Sequence, residues 1–352
     1  MKPGCPYAGL PRSAYWRTAV GAADRGALVP QVGGAELFGP RTRIASAGSC
    51  FAQNMARELK AAGFAYFETE SGPAWFDEQS RATMGYGLYS ARFGNVYTAA
   101  QLRQLLERCL GESDFAEPAW QEGGRFHDPF RPTVQPGGFA SLDALEEDRA
   151  RHLAAVRTLF EQLEVFVFTL GLTEGWRSRT TGAVFPICPG CEVGTFDASL
   201  HEFVNFPVSA VVADLDAFLA RFRALNPAAQ VVLTVSPVPL AATYAGRHVL
   251  EATTYSKSVL RVAAEEARLR HDNVHYFASY EIVTGLGRPD YFEADRRGVA
   301  PEAVAHVMDA FFSLYANEEG RRLASERRVS PSAAPLVCDE DALAEAQAVR
   351  VS

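Results

Sequence analysis

Apolar residues recur along this chain in two alternating rhythms. One recurs every three or four positions, as on one face of a helix. The other is a short unbroken run, as in a strand buried on both sides. The first unit joins the two. Arg43 to Ala47 is a short apolar-leaning run ending at Gly48. Cys50 to Ala62 then carries Ala52, Met55, Ala56 and Leu59 on one helical face, and Gly63 stops it. This predicts a strand, a Gly-Ser turn and a helix. Thr98 is placed to cap a helix with Leu102, Leu105, Leu106 and Cys109 on one stripe. Ser141 opens a long helix carrying Leu145, Leu153, Val156, Phe160 and Leu163, and the run Val165 to Gly171 follows it as a buried strand. Val211 to Leu225 reads as a helix ended by Asn226-Pro227, Gln230 to Val235 as a strand, and Thr254 to Arg270 as a helix. Asn273 to Phe277 is a further strand. Pro301 sits at the first turn of a helix that turns Val304, Val307, Met308, Phe311 and Phe312 inward. Helices alternating with buried strands predict an α/β protein with a mainly parallel sheet covered on both faces.

The remaining segments are loops and ends. Residues 1–40, rich in Pro and Gly, read as an extended N-terminal arm. Residues 41–316 form the domain, and 317–352 a charged, Ala-rich peripheral tail. Two loop regions, 69–92 and 111–138, carry many aromatics and glycines, the second including FHDPFRP. The chain has 352 residues, 48% apolar and 22% charged, enough for a sizeable core. Thirty-four basic against forty-two acidic side chains give a net charge of −8. That balance argues against a nucleic-acid binder or an anionic-membrane binder, since both need a basic face. No apolar stretch approaches the roughly 20 residues that span a bilayer. The first residues, MKPGCPYAGLPRSAYW, lack an apolar signal core. Six cysteines are too sparse for a disulfide scaffold. The expectation is a soluble, acidic, cytoplasmic protein.

Ligands of open α/β sheets bind at the carboxyl ends of the strands. Four segments follow strands there: AGSCFA (47–52), LGLTEGW (170–176), SPVPLAATYAGRH (236–248) and YFEADRRGV (291–299). Ser49 follows the first strand and opens a helix. It suits a nucleophile beside backbone donors. It suits a helix cap as well, and spacing alone favours the cap. Cys50 is a rival nucleophile. Cys188 and Cys191 form a lone CxxC, half a zinc site with no second pair at suitable spacing, and read as a tight turn. The chain has no GxxxxGK, no GxGxxG after a strand and no HExxH, so no cofactor or metal is expected.

AGSCFAQNMARELKAAGF resembles the signature of the GSCFA family, through Gly48, Ser49, Cys50, Phe51 and Ala52. ARFGNVYTAAQL (91–102), TLGLTEGW (169–176), LTVSPVP (233–239), TYSKSVL (254–260) and YFASYEIVTG (276–285) resemble its later segments in order. The family is similar to a branch of the SGNH/GDSL hydrolases, which implies a flavodoxin-like three-layer α/β/α fold. The resemblance implies Ser49 as nucleophile, its own N–H as one oxyanion donor, and Gly94 as a second. It implies that Asn95 orients substrate, that Thr173 stands at the usual asparagine position, and that Glu174 accepts from the loop carrying Ser49.

The last block departs from the pattern. SGNH enzymes carry Asp-x-x-His there, whereas this chain reads Asp295-Arg296-Arg297-Gly298. The carboxylate is present and the histidine is glycine. A serine without a base is a poor nucleophile. His248 is the preferred substitute, since it follows a buried strand and loop. His201 and His127 are further candidates, whereas His152 and His306 read as structural. Arg296 and Arg297 suit a clamp on an anionic group. Tyr86, Tyr89, Trp176, Arg131 and Arg177 are candidates to line the site. The implied activity is acyl-ester hydrolysis or acyl transfer through a Ser49 acyl-enzyme. The expected substrate is a small-molecule or carbohydrate-like ester, acetyl esters included. The alternative is a non-catalytic protein binding an anionic or sugar ligand at the Ser49 helix N-terminus. Oligomeric state is not legible.

Overall fold

Our computed structural model describes residues 5–31, 33–113, 115–326 and 338–339. In chain order the regular elements are β1 (Ile44–Gly48), α1 (Phe51–Ala61), α2 (Glu78–Thr83), α3 (Ala99–Cys109), β2 (Trp120–Glu122), β3 (Arg125–His127) and α4 (Leu142–Gln162). Next come β4 (Val165–Leu170), β5 (Glu174–Ser178), β6 (Val184–Phe185), β7 (His201–Asn205), α5 (Val208–Leu225) and β8 (Gln230–Val235). The last are α6 (Val249–Arg270), β9 (Val274–Phe277), α7 (Ser279–Thr284), α8 (Pro301–Tyr315) and α9 (Glu318–Ser325).

Every apolar run read as a strand lies in one sheet of order β1-β4-β8-β9, and every pairing in it is parallel. The runs are unbroken because both faces are covered. Ala45, Ala47, Phe166, Phe168, Leu170, Val231, Leu233 and Val235 pack on one side against α3, α4, α5 and α6. Ile44, Val165, Val167, Val232 and Phe277 point to the other side, where α1, α7 and α8 pack. Successive strand side chains alternate between faces, so the sheet supplies one apolar wall to each helical layer. The fold is three-layer α/β/α.

The helix signals act as their sequence suggests. Thr98 and Gln101 close a capping box on α3, and the Ser141 hydroxyl accepts from Ala144 N on α4. Pro301 stands in the first turn of α8. One helix runs longer than its pattern: α6 begins at Val249, ahead of Thr254.

Three features differ from the sequence reading. The segment LGLTEGW and the one that begins at His201 form strands of their own: β5 pairs antiparallel with both β6 and β7 in a separate sheet. The arm contains short helical turns, and Gln31 ties it to the sheet by bonding Tyr276 O at 2.7 Å and accepting from Ala278 N at 3.1 Å. The tail is not wholly peripheral. Ala324 of α9 is buried on the side of the sheet covered by α1 and α8, and Asp339 is buried as well. Among the described residues no helix is long and apolar enough to cross a membrane.

Candidate active site at the β1–α1 turn

Gly48 ends β1 with φ +144°, and a Cβ there would collide with the Thr169 backbone of β4. Only glycine lets the chain turn that tightly against its neighbour. The turn delivers Ser49 to the carboxyl edge of the sheet. Its N–H is held by Thr169 O at 3.2 Å. Cys50, not Ser49, occupies the N-cap position of α1, and no side-chain cap bond forms there. Ser49 is 3% exposed, and its Oγ has no hydrogen-bond partner among the described residues. A buried hydroxyl left unpaired is costly, so the capping role does not explain this serine.

Ser49 lines a narrow crevice with Cys50, Tyr97, Gly171, Ser236 and Lys257, closed by Leu172 and Leu240. Gly171 matters here because of close approach: a Cβ would stand 3.1 Å from Ser49 Cβ and from the Tyr97 ring. Lys257 comes from the buried face of α6 and is 2% exposed. Its Nζ donates to Gly171 O at 2.6 Å. The crevice therefore brings together an unpaired hydroxyl and an amine.

Beside it lies a mainly apolar pocket of about 90 Å³ whose lining also includes Tyr89, Gly94, Asn95, Thr133 and Asp339. A chain of donors fixes its orientation. Gln53 Nε2 donates to Tyr89 OH at 3.0 Å, and Tyr89 OH donates to Asn95 Oδ1. That leaves Asn95 Nδ2 as the donor to Asp339 Oδ2 at 2.8 Å. The Tyr89 OH also lies 3.5 Å from Ser49 O. Burial raises the Asp339 carboxyl above its ordinary range, against the lowering effect of Asn95 and Thr133.

On the far side of Leu172 and Leu240 opens a cleft of about 350 Å³. Trp176, Phe196, Phe203 and Tyr244 wall it, with Trp176 and Tyr244 ring centroids 5.1 Å apart. Such a cleft suits an apolar or ring-shaped group.

The model of the GSCFA family matches residues 43–311 of this chain, the span that holds the sheet, Ser49 and Lys257. The chain belongs to the GSCFA family. No curated relative matches it.

In this GSCFA protein the structure separates the residues that the sequence grouped. His248 is exposed at the start of α6, where its Nδ1 accepts from Leu250 N at 3.2 Å, and it does not line the Ser49 crevice. Asp295 is not aimed at a base. Its Oδ1 accepts from Arg297 N and Gly298 N, both at 2.9 Å, and these bonds hold its carboxyl below the ordinary range. Gly298 packs on Glu293, whose carboxylate a Cβ would meet at 2.5 Å. Thr173 is fully buried and donates to Asn205 Oδ1 at 2.7 Å, stitching β5 to β7. Glu174 accepts from Thr243 Oγ1 at 2.7 Å and Tyr244 N at 3.2 Å, so it holds the cleft loop rather than the Ser49 loop. Arg297 reaches Cys338 Sγ at 3.4 Å. Gly94 and Asn95 line the neighbouring pocket with Asp339, not the crevice.

None of the seven histidines lines the crevice. His127 bonds Pro132 O, His152 donates to Glu70 at 2.8 Å, and His201 accepts from Asp197 N. His306 joins Tyr291 and Leu28 O. Tyr86 lies against Arg92, Arg131 is buried in ion pairs, and Arg177 pairs with Glu202. Cys188 and Cys191 form a turn at the cleft, Cys191 N donating to Cys188 O at 3.1 Å.

Lys257 and Asp339 are absent from the sequence reading. The first had a readable signal: it stands among Ala252, Ser256, Val259 and Leu260 on the buried face of a helix, where a lysine needs a reason. The second had none. It lies 244 residues from Asn95 and reaches it only through the fold.

Proposed function

We propose that this protein is a serine-dependent acyl-ester hydrolase or acyltransferase of the SGNH type, with Ser49 as nucleophile and Lys257 in the place of the missing histidine. The observation that carries this reading is the buried, unpartnered Ser49 hydroxyl sharing one crevice with the Lys257 amine. Serine–lysine pairs are a known variant of triad chemistry.

In the proposed reaction, which requires Lys257 unprotonated, Ser49 Oγ bonds to the acyl carbon while its proton passes to the Lys257 amine. The carbonyl oxygen takes the negative charge. As the tetrahedral species collapses, the bond to the alcohol oxygen breaks and the alcohol leaves with the proton from Lys257. Water or a second hydroxyl then releases the acyl group from Ser49, giving hydrolysis or transfer. Ser49 N is already bonded to Thr169 O, so it is not free to hold the oxyanion. The aromatic cleft would take the apolar or ring-shaped part of a small-molecule or carbohydrate-like ester. With no disulfide among its six cysteines, the protein suits a reducing compartment such as the cytoplasm.

A second reading, an anion- or sugar-binding protein without catalysis, is favoured by one observation: a carboxylate already sits on Asn95. A fluorophosphonate probe separates the two. A single adduct by intact mass on the wild type, absent in Ser49→Ala, supports the enzyme. No adduct on the folded wild type supports the binding protein.

A further inference from the structure

Asp339 is the one described carboxylate in the pocket beside Ser49, and it enters from outside the family-matched span. Three side chains from two segments of the domain point donors at it. Asn95 Nδ2 lies 2.8 Å from Oδ2, Thr133 Oγ1 lies 3.2 Å from Oδ1, and Tyr97 OH lies 3.5 Å from Oδ2. The Asp339 N–H donates back to Tyr97 OH at 3.2 Å. Asp339 is 6% exposed, and of its three partners Asn95 and Tyr97 are buried while Thr133 stands at the exposed rim. Asn95 is not merely available to it. The Gln53–Tyr89 chain fixes its amide so that the N–H₂ end faces the pocket. A pocket whose donors are oriented from behind is a preformed acceptor site.

We infer that Asn95, Tyr97 and Thr133 form a carboxyl-binding subsite beside Ser49, and that Asp339 of the same chain is its resident ligand. Both oxygens of the Asp339 carboxyl are engaged, one by Thr133 and the other by Asn95 and Tyr97. The ligand class is therefore a small carboxylic acid or carboxylate, and a free one competes with the tail. Tyr97 also lines the Ser49 crevice, so the subsite adjoins the reacting position. Naming the acid product of ester cleavage as such a ligand rests on the Ser49 reading above. Carboxylate binding itself does not.

The test uses the full chain with Asp339→Ala, and with Asp339→Ser as a second variant that keeps a polar group. Sodium acetate is titrated against sodium chloride at matched ionic strength, and the melting midpoint is followed by circular dichroism. Acetate is expected to raise the midpoint of Asp339→Ala by several degrees, to leave the wild type unmoved, and to lose its effect in Asn95→Ala/Asp339→Ala. Lack of an acetate response in both Asp339 variants, folded or not, overturns the inference, as does an equal response in the wild type. Fluorophosphonate labelling of the same samples keeps the two ideas apart. Labelled Ser49 without an acetate response removes only the subsite. An acetate response without labelling removes only the enzyme reading.

Discussion

Two buried polar clusters lie near the same edge of this molecule, and they are built on opposite terms. Under α4, Arg131 Nε meets Asp128 at 3.0 Å and its Nη2 meets Asp148 at 2.9 Å. Arg149 adds a second cation to Asp128 at 3.0 Å, and Arg92 a second to Asp148 at 3.0 Å. Arg92 also reaches Val134 O at 3.0 Å, and Asp128 accepts from Phe130 N at 3.2 Å. Every carboxylate oxygen in that cluster has a partner, although Arg149 Nε has none among the described residues. At the β1–α1 turn, Ser49 Oγ is equally enclosed and has none. The first arrangement recovers the cost of burying charge by pairing it, and removal of one partner is what hurts. The second leaves a buried hydroxyl unsatisfied, a cost that a purely structural serine would avoid.

The widest gap between the clusters should come from truncating each at its centre. Ser49→Ala is expected to abolish fluorophosphonate labelling and to lower ester turnover by about 10³-fold or more. Its stability should stay within about 0.5 kcal/mol of wild type or rise, since the change deletes an unpaired group. Asp128→Ala should do the reverse, costing about 3–5 kcal/mol in urea unfolding because it strands two guanidinium groups. Equal stability loss in the two variants would erase the distinction.

A smaller effect should come from the aromatic cleft. Trp176→Ala is expected to raise KM about 10-fold for esters with apolar or ring-shaped groups. Labelling of Ser49 should remain. An unchanged KM across an ester series would detach the cleft from the site.

The smallest effect concerns pH, and it belongs to the paired cluster. Burial, with Arg131 nearby, pushes the His152 imidazole from 6.5 down to about 4. Burial alone would raise Glu70, yet the His152 N–H and Arg131 hold it down at about 2. Both groups take a proton more readily in the unfolded chain, so each favours folding at neutral pH and loses that effect as pH falls. The His152 contribution fades between 6.5 and about 4, and that of Glu70 below it, from 4.5 toward about 2. His152→Gln should flatten the stability profile in the upper window only. A profile as steep as wild type there would contradict the assignment.

Much of the fold was legible because its strands are buried on both faces. Phe166 and Val167 are both apolar since each meets a helical layer. The β5–β7 sheet was not. Glu202 to Asn205 are only half-buried, so the segment carries no unbroken run. Ser49, Gly94 and Asn95 were legible from motif, although only Ser49 proved to line the crevice. The base was sought as an imidazole on a loop, and Lys257, proposed above for that role, lies inside a helix. Glu174 and Thr173 were assigned by position in a block, and their partners show them holding β7 and the cleft loop. Asp339 lay beyond sequence reasoning, because nothing local connects a tail residue to a turn far upstream.

The central claim is that Ser49 and Lys257 work as a pair, and labelling kinetics test it most directly. The rate of fluorophosphonate adduct formation on Ser49 would be followed by intact mass in wild type and in folded Lys257→Met. The account predicts a loss of about 10²-fold or more in Lys257→Met with secondary structure unchanged. Labelling of folded Lys257→Met at the wild-type rate would contradict it.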